Sequence, residues 1–202
     1  MRFSTKLPVV AMSGLLMVAV SAAEARAPQE APAPAAAATV PNPAVGGVAM
    51  DAAKPITENA AAAPNLTTLV KAVKAAGLDA TLSGPGPFTV FAPTNDAFGR
   101  LAAGTVDTLM KPENKATLAK VLTYHVVPGI ITLEQLKQKM TAGGGTTTLT
   151  TVEGATLTVT DLNGAIQLTD ANGNKSYVEV PDVRQSNGVV HVVNGVLLPK
   201  LG

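Results

Sequence analysis

The chain of 202 residues is long enough for one ordinary domain with additional segments, and it contains no cysteine. It therefore offers no disulfide framework, no thiolate nucleophile and no cysteine-based metal site. Hydrophobic residues make up 47% of the sequence, yet there are only four Phe, two Tyr and no Trp, so aliphatic side chains must build the core. The formal net charge of +1 is too small to indicate a nucleic-acid or acidic-membrane partner.

The first 27 residues are predicted to be a secretory signal peptide. Arg2 and Lys6 form a basic start, the apolar run 7–20 follows, and Ala-x-Ala sites end at residues 25 and 27. The apolar run is shorter than the roughly 20 residues of a membrane-spanning helix, and a retained membrane anchor is the alternative. Because no cysteine follows the run, we expect no lipid anchor.

Cleavage of this segment changes the charge of the protein. It removes three basic and one acidic side chain, which leaves 12 basic against 13 acidic ones and a net charge of −1. The mature protein then has no electrostatic footprint for nucleic acid. We therefore expect a secreted or periplasmic protein that binds no nucleic acid and does not span the membrane.

Residues 28–50 form a stretch rich in Ala and Pro, with proline at positions 28, 32, 34, 41 and 43. Such a composition buries too little side chain to offset the entropy of ordering the chain. We therefore predict a disordered linker over 28–50 and one domain over 51–202. The domain shows no long-period repeat, which favours a single copy.

Helical spacing of apolar residues dominates the first half of this domain. The apolar residues of 66–73 recur at that spacing, and Asn65 and Gly77 are the predicted N-cap and end of their helix. Thr132 and Gln135 form a capping-box pattern that opens a helix through residue 140. Further short helices are predicted over 55–61, 78–82, 106–110 and 112–122, and after Thr94.

Strand patterns dominate the second half. The apolar run 88–92 is a strand that Pro93 ends, and a short strand is predicted over 124–127. Asn-Gly pairs begin at 163, 172, 187 and 194 and indicate tight turns. The later predicted strands are 146–151, 156–160, 165–169, 177–185, 189–193 and 196–198. Early helices followed by late antiparallel strands indicate an α+β fold.

Three stretches together resemble the fasciclin (FAS1) domain family, most closely its bacterial secreted single-domain members. They are Phe88-Thr-Val-Phe-Ala-Pro-Thr-Asn-Asp-Ala-Phe98, the Tyr124-His125 pair within Leu-Thr-Tyr-His-Val-Val-Pro-Gly, and Asn187-Gly-Val-Val-His-Val-Val-Asn-Gly-Val-Leu-Leu-Pro199. The resemblance implies a FAS1-like wedge of two β-sheets with a layer of short helices. It also implies that the first and last of these stretches pack side by side.

The resemblance further implies a non-enzymatic protein that mediates adhesion to, or interaction with, a cell surface, a matrix or a host. Its partner would be a protein or a glycan. In animal members the Tyr-His region is linked to integrin contact, which carries over only to Tyr124 and His125. The candidate interaction region consists of these two residues together with Asn95 and Asp96. Some algal relatives bind carotenoids, so the alternative is an extracytoplasmic binding protein for a lipid or carotenoid-like small molecule.

The two histidines, His125 and His191, are the residues most open to a chemical role. With Asp96 they could form a metal site, but apolar neighbours favour a buried, hydrogen-bonded role for His125. His191 could instead point outward. The three serines after residue 27 lie outside any Gly-x-Ser-x-Gly motif. We therefore expect no catalytic residue, no metal and no cofactor.

Overall fold

The computed structural model describes residues 41–101 and 104–200. The predicted signal peptide (1–27) and residues 28–40 of the predicted linker lie outside the described residues. In the described part of the chain, no helix is both long enough and apolar enough to cross a membrane.

The packed domain already includes residues 41–50, so the predicted linker extended too far towards the C-terminus. Two short strands, β1 (Ala44–Val45) and β2 (Val48–Ala49), form a hairpin here, and Val45 is buried in the core. The Asn42 side chain donates to the carbonyl oxygen of Arg184 at 2.7 Å and accepts from its N–H at 2.7 Å. Local composition missed this segment because its partners lie far away in the sequence.

Within the described residues the helices are short and the strands include one long member. The α-helices are α1 (Ile56–Ala62), α2 (Thr67–Ala76), α3 (Asp79–Leu82), α4 (Asn95–Gly99), α5 (Thr105–Leu109), α6 (Lys115–Tyr124) and α7 (Leu133–Ala142), with 3-10 turns at Pro64–Leu66 and Pro112–Asn114. The remaining strands are β3 (Phe88–Pro93), β4 (Val126–Pro128), β5 (Thr146–Thr150), β6 (Thr156–Leu162), β7 (Ala165–Thr169), β8 (Lys175–Gln185) and β9 (Gly188–Val193).

The predicted helix ends are partly confirmed. Thr132 and Gln135 form the capping box of α7, since each side chain accepts from the other residue's N–H. Asn65 is not the N-cap of α2, because it lies inside the preceding 3-10 turn. Tyr124 ends α6 and the following strand starts only at Val126, so the strand predicted from residue 124 was too long.

Seven strands form a continuous ladder in the order β4-β3-β9-β8-β7-β6-β5 within the described part of the chain. The first and last resembling stretches lie side by side as implied, because β3 and β9 pair in parallel from Phe88 opposite Gly188 to Pro93 opposite Val193. A Cβ atom on Gly188 would collide with the Phe88 carbonyl oxygen, so this close approach requires glycine. The predicted strand 196–198 is absent from the ladder.

The long strand β8 joins two parts of the ladder. Residues 175–177 of β8 pair with β7, whereas residues 178–185 pair with β9 across two bulges. Asp182 lies at the second irregularity with a φ of 55°. Bulges bend a strand and increase its twist, so β8 contributes to two differently oriented sheet halves. The predicted α+β class with a FAS1-like fold is confirmed.

Strands β3 and β9 are buried on both faces, and apart from Thr89 and His191 their side chains are apolar. Val90 and Ala92 of β3 belong to a core shared with α1, α2 and α6, which we call the helical core. Phe91 points to the opposite face and belongs to a core shared with α7 and β5–β7, which we call the α7 core. Side chains alternate between the faces of a strand, so each strand supplies both cores.

Candidate functional site

His125 lies between the end of α6 and β4 and is 2% exposed. Its Nδ1 donates to the Val121 carbonyl oxygen at 2.7 Å, and its Nε2 accepts from the Leu197 N–H at 3.0 Å. Burial lowers the pKa of the ring from 6.5 to about 4, against the opposing effects of the Val121 carbonyl and the Asp170 charge. The ring is therefore neutral. It binds the backbone of residue 197, which lies outside the strand ladder although the sequence predicted a strand there.

His191 on β9 is fully buried and does not point outward, contrary to the alternative left open by its sequence. Its Nε2 donates to the Ile131 carbonyl oxygen at 2.8 Å, and its Nδ1 accepts from the Asp182 N–H at 3.2 Å. The ring stacks on Phe91 with centroids 5.5 Å apart. Burial lowers the pKa of this ring as well, while the Ile131 carbonyl and the Asp182 charge oppose that shift.

The two histidines are unsuited to metal binding in this conformation. Every ring nitrogen has a backbone partner, so no imidazole lone pair remains for a cation. Asp96 is exposed at the surface, whereas both rings are buried. Among residues 41–101 and 104–200, no group of three or more His, Cys, Asp or Glu side chains could hold a metal ion.

Tyr124 is fully buried in the α7 core, and its hydroxyl both donates and accepts a hydrogen bond. The hydroxyl donates to the Thr156 carbonyl oxygen at 2.8 Å and accepts from the Ala171 N–H at 3.1 Å. Burial raises the pKa of the phenol, the Ala171 N–H opposes that shift, and the Asp170 charge adds to it. Tyr124 thus ties α6 to β6 and to the loop after β7.

Replacing Tyr124 by phenylalanine is expected to lower the free energy of unfolding by about 1–3 kcal/mol, because two buried backbone groups lose a partner. Urea unfolding of the wild type and of Tyr124→Phe measures this difference. Tyr177→Phe is the matched control, because among the described residues its hydroxyl bonds only to the Gln167 side chain, and the residue is 37% exposed. Equal losses in the two variants would contradict a tying role for Tyr124.

Asn95 performs the capping role that the sequence assigned to Asn65. Its Oδ1 accepts from the Thr68 N–H at 2.9 Å in the first turn of α2, and its Nδ2 donates to the Pro64 carbonyl oxygen at 3.0 Å. Asn95 itself begins α4, so one amide connects the ends of two helices. A cap supplied by a residue distant in sequence leaves no local pattern, which is why the sequence did not reveal it.

Replacing Asn95 by alanine is expected to lower the free energy of unfolding by about 1–2 kcal/mol, since a helix N-terminus loses its side-chain acceptor. Asn65→Ala is the matched control. The Asn65 Oδ1 is buried without a hydrogen-bond partner among the described residues, so its removal is expected to cost less than about 0.5 kcal/mol. Thermal unfolding of both variants measures the difference, and the reverse ranking would show that Asn65 is the cap.

Asp96 is the one exposed residue among the four predicted interaction residues. It lies in the first turn of α4, whose N-cap Thr94 accepts from the Ala97 N–H. Arg100, also exposed, follows α4 and donates to the Asn194 carbonyl oxygen at 3.2 Å. The structure therefore places Asp96 outside, Asn95 at the base of α2, and Tyr124 and His125 inside.

Asn187 is a connecting residue whose role its sequence did not reveal. The Asn-Gly pattern predicts a turn, and a two-residue turn does join β8 to β9 here. In addition, its Oδ1 accepts from the Ile56 N–H at 3.1 Å, and its Nδ2 donates to the carbonyl oxygens of Leu82 and Gly84. This side chain therefore fixes α1 and the end of α3 against the sheet.

An apolar cavity of about 260 Å³ lies between α1, α2, α3 and the β3–β9–β8 part of the sheet. Most of its wall is aliphatic and includes Ile56, Leu69, Val73, Leu82 and Val190. Its exposed lining side chains are on α1, α2 and α3, so the cavity opens to the surface between these helices. The many aliphatic residues in the sequence agree with such a wall. Their number alone, however, does not predict whether they line a cavity or fill a solid core.

Comparison with known proteins gives consistent matches. The family model described as "Fasciclin domain" matches residues 64–199. "Protein sll1483" of Synechocystis is 47% identical and covers 78% of this chain and 80% of its own length. "Immunogenic protein MPB70" of Mycobacterium bovis is 35% identical, covering 81% of this chain and 78% of its own length. "Transforming growth factor-beta-induced protein ig-h3" of Sus scrofa is 37% identical over 65% of this chain but only 17% of its own length.

One solved structure supports the fold independently of the sequence. It is the FAS1 domain pair from the insect cell adhesion molecule Fasciclin I, with a TM-score of 0.63 at 19% identity. The match covers 74% of this chain and 51% of that chain, about half its length. At this identity the likeness concerns the fold alone.

Proposed function

This chain belongs to the fasciclin domain family, and on that premise we propose that it is a non-enzymatic, secreted or periplasmic protein mediating adhesion to a cell surface, a matrix or a host. A protein or glycan is the proposed partner. The insect protein whose solved domain pair has the same fold is a cell adhesion molecule, which supports this class of function.

The observation that carries the proposal is the inward placement of the polar motif side chains. The ring nitrogens of both histidines and the Tyr124 hydroxyl bond to backbone groups in the interior. A catalytic role would require such groups to face a cleft beside a nucleophile or an acid. These side chains instead stabilise the fold, so recognition is left to the exposed surface.

We place the interaction surface at the exposed corner formed by Asp96 and Arg100. These residues lie on and directly after α4, where Asn95 connects the same helix to α2. Tyr124 and His125 contribute to this surface indirectly, by fixing α6 and the segment around Leu197. The opposite charges of Asp96 and Arg100 suit the polar rim of an interface with a protein or glycan.

An adhesion assay tests this proposal. Beads coated with the purified protein are applied under flow to intact cells of the source organism and to layers of matrix protein. We expect the wild type to adhere and Asp96→Asn to weaken adhesion several-fold. Glu134→Gln is the matched control, since Glu134 is likewise an exposed acid in the first turn of a helix.

The outcomes test the adhesion function and the position of the binding surface separately. Absence of wild-type adhesion to every surface would contradict the adhesion function. Equal adhesion by Asp96→Asn and Glu134→Gln would contradict the assignment of the α4 corner.

The cavity favours a second candidate function, which is binding of a lipophilic small molecule. A cavity of about 260 Å³ exceeds the roughly 150 Å³ apolar cavity that holds benzene, and lies just below the range of drug-sized pockets. By size it supports a small lipid fragment more than a complete carotenoid. Native mass spectrometry and an absorbance spectrum of protein from its source test this candidate: a stoichiometric lipophile would support it, and a clean apo mass would contradict it.

A further inference from the structure

We propose that the cavity between α1, α2 and α3 binds a small, uncharged lipophile that carries one hydrogen-bond-accepting oxygen, such as a compact ketone, ester or alcohol. This inference rests on the second candidate function and specifies the chemical class of its ligand. It follows from the size of the cavity, the hydrogen-bond partners of its polar wall groups and the position of its charges.

The volume limits the ligand to a compact molecule. Scaling from the 150 Å³ cavity that holds benzene, a cavity of about 260 Å³ accommodates roughly ten non-hydrogen atoms. Its aliphatic wall provides dispersion contacts and the hydrophobic driving force for binding, but it does not orient the ligand. Orientation therefore depends on the few polar groups in the wall.

Most of those polar groups already have protein partners. The Asn59 side chain, 3% exposed, accepts from the Asp51 N–H at 3.2 Å and donates to the Asp51 carbonyl oxygen at 2.6 Å. The Thr57 and Ser83 hydroxyls bond to each other at 2.9 Å. The two His125 nitrogens bond to backbone groups. Each of these groups already has at least one protein partner.

Gln185 is different, because only one end of its amide is engaged within residues 41–101 and 104–200. Its Oε1 accepts from the Asn59 Nδ2, which fixes the orientation of the amide. Its Nε2 has no hydrogen-bond partner among those residues, and the half-buried side chain lines the cavity. This lining side chain therefore adds an N–H donor to the wall, and a ligand oxygen can accept from it.

The charges around the cavity indicate that the ligand is uncharged. Its charged lining residues Glu58, Lys74 and Asp79 are all exposed, and they carry both signs. His125 in the wall is neutral. A carboxylate or ammonium group drawn inside would lose hydration without gaining a buried counter-charge, which is strongly unfavourable.

Ligand titration by NMR tests the inference, with the side-chain methyl signals of Val73, Leu82 and Val190 reporting the location. The probes are camphor, bornane (the same bicyclic skeleton without the oxygen) and decanoate. We expect camphor to bind about five- to tenfold more tightly than bornane, and decanoate to leave these signals unchanged. One added hydrogen bond accounts for a difference of that size.

Three variants identify the donor and the site. Gln185→Met is expected to remove the preference for camphor over bornane. Gln138→Met, on the exposed face of α7, is the matched control and is expected to keep it. Ala60→Phe, which places a ring in the cavity from α1, is expected to abolish binding of both probes.

The outcomes distinguish this inference from the function on which it rests. Equal affinities for camphor and bornane in the wild type, or binding of decanoate at the same methyl groups, would overturn the ligand class while leaving a lipophile-binding cavity. Failure of all three probes to shift the methyl signals would overturn both. Because the wild-type comparison needs no variant, a misfolded Gln185→Met protein does not affect the test.

Discussion

Replacing Phe91 by alanine is expected to lower the free energy of unfolding by about 3–5 kcal/mol. Phe91 is 0% exposed and lies in the α7 core. It also stacks on His191, whose ring would lose that contact and border a cavity. Truncation therefore removes both hydrophobic transfer energy and close packing where β3 pairs with β9.

Phe88→Ala on the same strand is the matched control, because Phe88 is only partly buried at the edge of the helical core. Chemical denaturation of both variants, with unchanged m values, measures the two losses. The cost at position 88 is expected to be clearly smaller. A loss below about 1 kcal/mol for Phe91→Ala would contradict its position in the core.

Acidification is expected to remove about 3 kcal/mol of stability between pH 8 and pH 4 through His125 alone. The unfolded ring binds a proton with a pKa near 6.5, whereas burial lowers the folded pKa to about 4. Below pH 6.5 the unfolded state therefore takes up a proton that the folded state does not, which favours unfolding. The stabilisation is complete above pH 6.5 and is lost as the pH falls towards 4. His191 adds to the effect in the same direction.

Urea unfolding at several pH values checks this expectation, with His125→Gln as the variant that removes the titrating group. The variant is expected to be less stable than the wild type by about 1–3 kcal/mol at pH 7.5, because the Leu197 N–H and the Val121 carbonyl lose well-placed partners. Between pH 6.5 and 4 its stability is expected to fall less steeply. Parallel pH profiles for the two proteins would contradict a neutral, buried ring.

Sequence patterns predicted those features that depend on local periodicity and on the three resembling stretches. The run 88–92, the capping box at Thr132 and the late strands are governed by side-chain spacing and turn chemistry, which neighbouring residues display. The parallel pairing of β3 with β9 was implied by the resemblance, because spacing within a strand carries no information about its partner.

Features that depend on distant partners could not be predicted in this way. Asn95 caps a helix that begins far away in the sequence, and Asn42 bonds to Arg184 across the fold. The cavity arises from how short helices meet a sheet, whereas composition shows only that the surrounding residues are aliphatic. The inward orientation of His191 likewise follows from the burial of β9 on both faces, which its own sequence does not reveal.

We propose that the polar residues of the family motifs build the fold and leave binding to other surfaces. Long-range ¹H–¹⁵N NMR of the two imidazole rings tests it most directly, because it reports the charge and tautomer of each histidine. We expect two neutral rings of opposite tautomer from pH 8 to pH 5.5, with the proton on Nδ1 in His125 and on Nε2 in His191. A ring that titrates near its ordinary pKa of 6.5, or the same tautomer in both histidines, would contradict this account.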